Sequence, residues 1–325
     1  MKKPIALVFS DLHLNMWAKF NDNNERTLNG FRVLFDLAKV SDKLGNIPAL
    51  FCGDFFHKPE SMDSDLALIT KAWLNYLFED YPKFNIICIN GNHDIKRINS
   101  LDKPSLGWLD LLASKNFKVL HPSEYKFIGE DKYVVHGIPY IDHNIGLSKY
   151  LQELHLDNRF KHILLLHTDY PGAKDTDGRP IDSVENLNVN VLNKFDLTLC
   201  GHIHKPQRLG KKVYMVGAPI QQRRTDRDCE MGYWILYDDL SMKFKSLNEY
   251  PKFIDVNTPE EVKEDGNYYT VLPQKASIVE NTKHKITKQL SKKKLAHRYM
   301  KAKGIKDKTK EELLIKILNR AENPC

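Results

Sequence analysis

The amino-acid sequence predicts an α/β protein, because short apolar segments alternate with helical segments in its amino-terminal third. Residues 4–9, 49–52 and 86–89 are apolar and short, which is typical of buried strands. Between them, residues 26–44 and about 63–78 carry apolar side chains at helical spacing. This order favours an open sheet covered by helices, with ligands gathered at the carboxyl ends of the strands.

After these segments the pattern changes to strands joined by long loops. The predicted strands are residues 118–120, 133–135, 163–166, 197–200, 213–216 and 233–237. The loop of residues 170–188 is long enough to contribute to a site on a rigid sheet. The composition changes after Pro251, and we therefore predict a core domain over residues 1–249 and a short extension over residues 250–325.

The excess positive charge lies in this extension. The net charge is +7, and residues 250–325 contain 17 Lys and Arg against 10 Asp and Glu. Residues 281–310 contain twelve basic side chains against Asp307 alone, and helices are predicted at about 285–303 and 310–321. Such a segment favours contact with phosphates or an acidic partner, with a solvated helix face as the alternative.

The composition argues against a membrane or secreted protein. No apolar run approaches the roughly 18 residues of a membrane-spanning helix, and the apolar start meets Asp11 too early for a signal peptide. The five cysteines include no CxxC pair, and Cys52, Cys88 and Cys200 lie in apolar strands. We therefore expect buried free thiols and a location in reducing cytoplasm.

Side chains that can bind metals follow five of the predicted strands. The clusters are Asp11-Leu12-His13, Gly53-Asp54-Phe55-Phe56-His57, Gly91-Asn92-His93-Asp94, His167 and Gly201-His202-Ile203-His204. Each alone is commonly a surface loop, but together they bring carboxylate, amide and imidazole groups to one crevice. This mixture suits Mn²⁺, Fe²⁺ or Zn²⁺, whereas the lack of paired cysteines argues against structural zinc. The candidates suffice for two ions about 3.5–4 Å apart, a spacing that can clamp a phosphate.

His136 is an alternative to His167, because it also follows an apolar strand-like segment. We favour His167, which has four apolar residues before it, since the sequence Gly137-Ile138-Pro139 predicts a loop directly after His136. The other histidines are expected at the surface or in packing. These are His121, His143, His155, His162, His284 and His297.

A basic loop follows the strand that ends near residue 216. It contains Arg223, Arg224 and Arg227. These side chains could hold phosphates, or they could form a solvated turn balanced by the neighbouring Asp226, Asp228 and Glu230. The two interpretations have equal weight at the level of the sequence.

The order of the motifs resembles that of the calcineurin-like metallophosphoesterases. The series DxH, GDxxH, GNHD, a strand-end His and GHxH follows the family's order, and the resemblance covers roughly residues 5–240. Within that superfamily, GDxFH with a basic extension is most similar to SbcD-type DNA double-strand-break repair nuclease subunits, including those of bacteriophages. The resemblance implies a β-sandwich core flanked by helices, followed by a small, basic, mainly helical extension. The extension is shorter than that of cellular relatives, which favours a compact phage-type subunit.

The resemblance also implies a role for each site residue. Asp11, His13 and His204 would bind one ion, Asn92, His167 and His202 the other, and Asp54 would bridge them. His93 would contact the reacting phosphate, stabilising its charge or protonating the leaving oxygen. Asp94 would orient the His93 imidazole and favour its charged form. His57 would lie at the edge of the site and orient groups around the phosphate.

By resemblance, the activity would be a Mn²⁺-dependent 3′-to-5′ exonuclease and single-strand or hairpin endonuclease, acting on double-stranded and single-stranded DNA ends in repair and recombination. An SMC-like ABC-type ATPase would be the partner. The apolar stripe Leu313, Leu314, Ile317 and Leu318 could dock on it or could pack on the neighbouring helix. A homodimer is expected by resemblance only, and the location would be the host cytoplasm if the chain is phage-encoded. Two alternatives remain open: a small-molecule phosphodiesterase or protein phosphatase, and a non-catalytic DNA-binding scaffold.

Overall fold

The structure, a computed structural model, describes residues 2–16, 25–58, 63–95 and 107–272. The basic segment, its two predicted helices and the apolar stripe lie outside the described residues. These features stay predictions, as does the domain boundary between residues 249 and 250.

The first of two large sheets contains the predicted parallel strands. Its elements are β1 (Pro4–Phe9), α1 (Glu25–Lys43), β2 (Ala49–Phe51), α2 (Ser64–Asp80), β3 (Ile86–Cys88), β4 (Phe117–Val119), β11 (Gly232–Tyr237) and β12 (Met242–Ser246). The strand order is β12-β11-β1-β2-β3-β4, with β1 to β4 parallel and the two late strands antiparallel. The Asp63 side chain accepts from the backbone N–H of Asp65 and Leu66, and this cap starts α2 where the sequence predicts it.

The second sheet also contains six strands. Its elements are β5 (Tyr125–Ile128), β6 (Tyr133–Gly137), α3 (Leu147–Glu153), β7 (Lys161–His167), β8 (Leu197–Gly201), β9 (Gln207–Leu209) and β10 (Val213–Met215). The strand order is β5-β6-β7-β8-β10-β9, and the four central strands are parallel. Short 3₁₀ helices occur at Trp108–Leu112, Asp142–Asn144, Val189–Lys194, Arg224–Asp226 and Pro259–Glu261.

Three apolar layers hold the fold together, because successive side chains of a buried strand point to opposite faces. In β1, Ile5 and Val8 pack between the two sheets, whereas Leu7 and Phe9 pack against the helices on the outer face. Beyond the second sheet, Leu164 and Leu166 of β7 pack on α3 and the loops. The result is a β-sandwich with helices on both outer faces, as predicted.

A small parallel sheet follows the sandwich. It consists of β13 (Phe253–Val256) and β14 (Tyr268–Val271). The Phe253 N–H donates to Oε1 of Gln221 at 2.7 Å, which ties this sheet to the loop after β10.

Every predicted strand is present, with its ends shifted by no more than about two residues. The strands β5, β9, β12, β13 and β14 and helix α3 were not predicted. The cysteines Cys52, Cys88 and Cys200 are buried and free, as expected, and so is Cys229. Among the described residues, no helix combines the length and the apolar character needed to cross a bilayer.

Candidate metal centre

The predicted metal-binding residues lie together at one end of the sandwich. They lie at or directly after the carboxyl ends of β1, β2, β3, β7 and β8, all of which are parallel within their own sheet. The loops after β1 and β2 are joined directly, because the backbone N–H of Asp11 and of His13 donate to the carbonyl oxygens of Gly53 and Asp54. The edges of both sheets therefore contribute to one crevice.

The backbone at this crevice is unusual. Asp11, His13, Asp54 and His202 have φ angles of 54°, 51°, 61° and 94°, in the left-handed region that side chains with a Cβ rarely adopt. Residues of this kind persist where the surrounding structure holds them, and they cluster at functional sites.

Glycines allow the loops to approach one another. Gly53 has a φ of +94°, and a Cβ atom there would lie 2.6 Å from Nδ1 of His167. A Cβ atom on Gly91 would lie 2.1 Å from Oδ1 of Asp54. Both distances are too short for any side chain, so close packing of the loops requires glycine at these positions.

Asp11, His13 and His204 form the first group of potential ligands, with one donor atom of each lying within 4.8 Å of the others. Nε2 of His13 is 3.1 Å from Nε2 of His204 and 3.9 Å from Oδ1 of Asp11. All three residues are buried.

Asp54, His167 and His202 form the second group, and Asn92 joins it. Oδ1 of Asn92 is 2.9 Å from Nε2 of His167 and 3.0 Å from Nδ1 of His202. Nδ1 of His167 donates to the Cys52 carbonyl oxygen at 2.7 Å, which leaves Nε2 for an ion.

The Asp54 carboxylate lies between the two groups. Its Oδ2 atom is 3.7 Å from Nε2 of His13 and 3.3 Å from Nε2 of His167. Burial alone would raise the pKa of Asp54, but the neighbouring histidines, His167 above all, hold it well below its usual range. A buried carboxylate that stays ionised between two sets of imidazoles is suited to bridging two divalent cations.

Comparison with known proteins identifies the family. Residues 6–206, more than half of the chain, match the family model of the calcineurin-like phosphoesterases. The chain belongs to this family. It is also 25% identical to the SbcD subunit of the SbcCD nuclease of Staphylococcus saprophyticus over 300 residues, which cover 80% of this chain and 73% of that protein. The predictions of a metallophosphoesterase enzyme and of a likeness to SbcD-type subunits are thereby confirmed.

In this phosphoesterase, His93 and His57 lie beside the first ligand group. Their rings stack with a centroid distance of 5.3 Å, and the His93 ring lies 4.9 Å from that of His13. Nδ1 of His93 donates to the backbone carbonyl oxygen of His57. This contact leaves Nε2 of His93 for a substrate.

The predicted role of Asp94 in orienting His93 is wrong in this structure. Within the described residues, the Asp94 carboxylate makes no hydrogen bond to the His93 ring; it accepts from the backbone N–H of Asp54, Phe55, Phe56 and Gly91 instead. The carbonyl oxygen of His57 orients the His93 ring. Asp94 therefore holds the loops on which Asp54 and Asn92 lie.

A third cluster of donor atoms overlaps the first group. His13, His57 and His93 also have donor atoms within 4.8 Å of one another and could hold an ion. The ligand assignment predicted from the sequence places His57 and His93 outside the metal sites, and this assignment stays a prediction.

His136 lies away from these clusters, in the core of the phosphoesterase. Its Nε2 is 2.9 Å from Nδ1 of His162, and Nε2 of His162 donates to the Asp157 carbonyl oxygen. His136 is thus part of a buried histidine pair, and the choice of His167 over His136 agrees with this placement.

Two acidic residues near the ligands were missed in the sequence. Asp226 accepts a hydrogen bond from Nδ1 of His204 at 3.0 Å, and Asp169 lies 3.7 Å from Nε2 of His202. Asp169 stands two residues after His167, which was a usable signal. No such signal in the sequence indicated Asp226, because it lies in a loop separated from His204 by strands β9 and β10.

Metal affinity of the phosphoesterase is expected to increase with pH. Burial alone would lower the pKa of His167, but Asp54 raises it to about 9, so the metal-free ring carries an extra proton at neutral pH. An ion must displace that proton, so affinity should fall by about tenfold per pH unit below the pKa for each proton released. Titration calorimetry with Mn²⁺ between about pH 6 and 8, in buffers of different ionisation enthalpy, counts these protons. Affinity that does not change with pH would contradict this expectation.

Proposed function

We propose that the chain is a two-metal DNA nuclease that processes DNA ends in repair and recombination. The observation that carries the proposal is the position of Asp54, whose Oδ2 lies 3.7 Å and 3.3 Å from imidazole nitrogens of two separate ligand groups. DNA as the substrate is supported by the similarity to a protein named as a nuclease subunit.

The donor set fits two divalent cations. Carboxylate, amide and imidazole donors are combined, and Asp11 and Asp54 are almost fully buried. We assign Asp11, His13 and His204 to one ion and Asn92, His167 and His202 to the other, with Asp54 shared. Mn²⁺ is the first candidate, because hard oxygen and borderline nitrogen ligands are mixed. When bound, two such ions stabilise both the attacking and the leaving oxygen of a phosphodiester.

The side chains of the protein supply the remaining chemistry. His93, held through Nδ1 by the His57 carbonyl oxygen, presents Nε2 to the phosphate or the leaving oxygen. Two hydrogen bonds hold ligand side chains in place. Nδ1 of His167 donates to the carbonyl oxygen of Cys52, and the backbone N–H of His93 donates to Oδ1 of Asp54. This pre-organisation reduces the reorganisation needed during the reaction.

We also propose the finer properties that the resemblance implies. These are 3′-to-5′ exonuclease and single-strand or hairpin endonuclease action, an SMC-like ABC-type ATPase partner, a homodimer and a cytoplasmic location. The name of the similar protein, one part of an SbcCD nuclease, supports a partner for this chain.

Metal removal is expected to abolish hydrolysis. The test uses end-labelled linear duplex and single-stranded DNA, beside bis-p-nitrophenyl phosphate, with Mn²⁺, Mg²⁺ or chelator. We expect degradation of DNA with Mn²⁺ and none with chelator, because the two ions supply several kcal/mol of charge stabilisation. The Asp54→Asn variant should behave like the chelated protein, whereas Asp239→Asn, a change in a surface ion pair with Lys2, should not.

Other results of this test would redirect the proposal. Hydrolysis of the generic ester without DNA cleavage, with or without the ATPase, would favour a small-molecule phosphodiesterase. DNA binding without hydrolysis of either substrate would favour the scaffold.

A further inference from the structure

A buried carboxylate in the loop after β10 contacts one of the metal-ligand groups. Asp226 is 0% exposed, and its Oδ2 accepts from Nδ1 of His204 at 3.0 Å. The same oxygen accepts from the backbone N–H of Gln222 and Arg223 at 2.9 and 3.2 Å, and Oδ1 lies 3.5 Å from Nε of Arg223. Asp226 thus joins the imidazole of His204 to the backbone of its own loop.

This contact determines which nitrogen of His204 is available. A carboxylate accepts, so Nδ1 of His204 carries the proton and Nε2, 3.1 Å from Nε2 of His13, is directed to the ligand group. Carboxylates that hold the second nitrogen of a ligand histidine fix its tautomer and orientation, and their loss typically weakens metal binding by about 10- to 100-fold.

The loop reaches a second ligand of the same group through Gln222. Nε2 of Gln222 donates to the Leu12 carbonyl oxygen at 3.0 Å and lies 3.5 Å from that of Asp11. The Gln222 carbonyl oxygen accepts from the guanidinium of Arg26, which is buried. The loop therefore supports the backbone of Asp11 and of Leu12, which follows it.

The small sheet β13–β14 holds this loop from the other side. Asp255 of β13 binds Arg224 through two contacts of 2.7 and 3.0 Å and contacts Nε of Arg227 at 3.1 Å. The guanidinium carbon of Arg26 lies 5.5 Å from the ring centroids of Phe253 and Tyr268. Asp255 thus pairs with two of the three arginines of the basic loop, Arg224 and Arg227, and is the main structural partner of this loop.

The second ligand group has different supports. Nδ1 of His167 donates to the carbonyl oxygen of Cys52, which directly follows β2. Nε2 of His202 lies 3.7 Å from Oδ1 of Asp169. In the described part of the chain, the side-chain contacts of Asp226 and Asp255 reach neither imidazole.

We propose that Asp226 and Asp255 are positioning residues, through which the small sheet β13–β14 sets the metal affinity of the Asp11, His13 and His204 group. The inference rests on the ligand assignment of the proposed function. Substitutions in the small sheet β13–β14 would weaken the binding of one ion and leave the binding of the other unchanged.

The first test is the Asp226→Ala variant, because the amide oxygen of an asparagine could still accept from Nδ1 of His204. We expect Mn²⁺ affinity at one of two sites to fall by about 10- to 100-fold, with the other site unchanged. In the metal-free protein, ¹⁵N spectra of the histidine rings should show that His204 loses its Nδ1-protonated state, a result that does not depend on activity. If the wild-type protein binds two ions and the variant binds both equally well, this inference is wrong. If the wild-type protein binds fewer than two ions, the proposed function itself fails.

The second test, Asp255→Ala, changes a partly buried residue that does not touch the ligands. Loss of its ion pairs should weaken the same single site by about threefold to tenfold. The Mn²⁺ concentration for half-maximal hydrolysis of bis-p-nitrophenyl phosphate should rise by a similar factor, while the rate at saturating Mn²⁺ stays at the wild-type value. Asp239→Ala, which removes the ion pair with Lys2, is the matched control and should change neither quantity. Equal behaviour of the two variants would overturn the proposal.

Discussion

The His93→Ala variant is expected to hydrolyse phosphodiesters about 10²- to 10⁴-fold more slowly than the wild-type protein, with both ions still bound. The rate should fall because Nε2 of His93 is the group available to the phosphate or leaving oxygen once Nδ1 is held by His57. The ions should stay because His93 contacts Asp54 through its backbone N–H, at 2.8 Å from Oδ1, and alanine keeps this contact.

The measurement pairs the hydrolysis rate of bis-p-nitrophenyl phosphate with the metal content of the protein. His143→Ala serves as the control, since His143 is an exposed histidine that pairs with Glu185. An unchanged rate would exclude His93 from the chemistry. Loss of one ion together with the rate would instead assign His93 to the cluster with His13 and His57 as a metal ligand.

The clustering of the candidate ligands could be predicted from the sequence because it follows from the order of the strands. Parallel neighbours end at the same edge of a sheet, so polar residues directly after apolar strands must meet there. Asp11, Asp54 and Asn92 follow three strands of the first sheet. In the second sheet, His167 is the last residue of β7 and His202 follows β8. The periodicity of burial is a local property, and it was sufficient to predict the strands, whereas their arrangement as a sandwich was implied by the resemblance.

The role of Asp94 could not be deduced in the same way. Adjacent residues in a turn do not present their side chains in one direction, so proximity to His93 in sequence carried no information on contact. The Asp94 carboxylate is directed to the backbone of residues 54–56, which only the tertiary structure brings near. Asp226 was missed for a similar reason, because a loop conformation depends on long-range partners such as Asp255.

The Asp94→Ala variant is expected to be less stable than the wild-type protein by about 3–5 kcal/mol, because a buried hydrogen-bond network loses its acceptor. Asp94 is 0% exposed, and its loss would leave the N–H groups of Asp54, Phe55, Phe56 and Gly91 buried without an acceptor. Each unsatisfied group costs about 1–3 kcal/mol, although the costs are not additive. Denaturant unfolding in the presence of chelator measures the effect without a contribution from bound metal.

The Asp94→Asn variant is the matched control. Oδ2 of Asp94 accepts from Asp54, Phe55 and Gly91, and an amide oxygen in the same position would keep these three bonds. Only the Phe56 N–H would lose its acceptor, so we expect a loss of about 1–3 kcal/mol. Equal stability of the wild-type protein and both variants would contradict the assigned role of Asp94.

Comparison of the His93→Ala and Asp94→Ala variants should distinguish two ways of losing activity. His93→Ala removes a group that contacts the substrate, so the rate falls while stability and metal content remain. Asp94→Ala releases the loop that carries Asp54, so stability and both ions are lost together with the rate. If Asp94 acted only by orienting the His93 ring, its alanine variant would keep its stability and both ions, and the double variant would be no slower than His93→Ala. The metal content of the Asp94→Ala variant therefore shows whether Asp94 holds the ligand loops or orients the His93 imidazole.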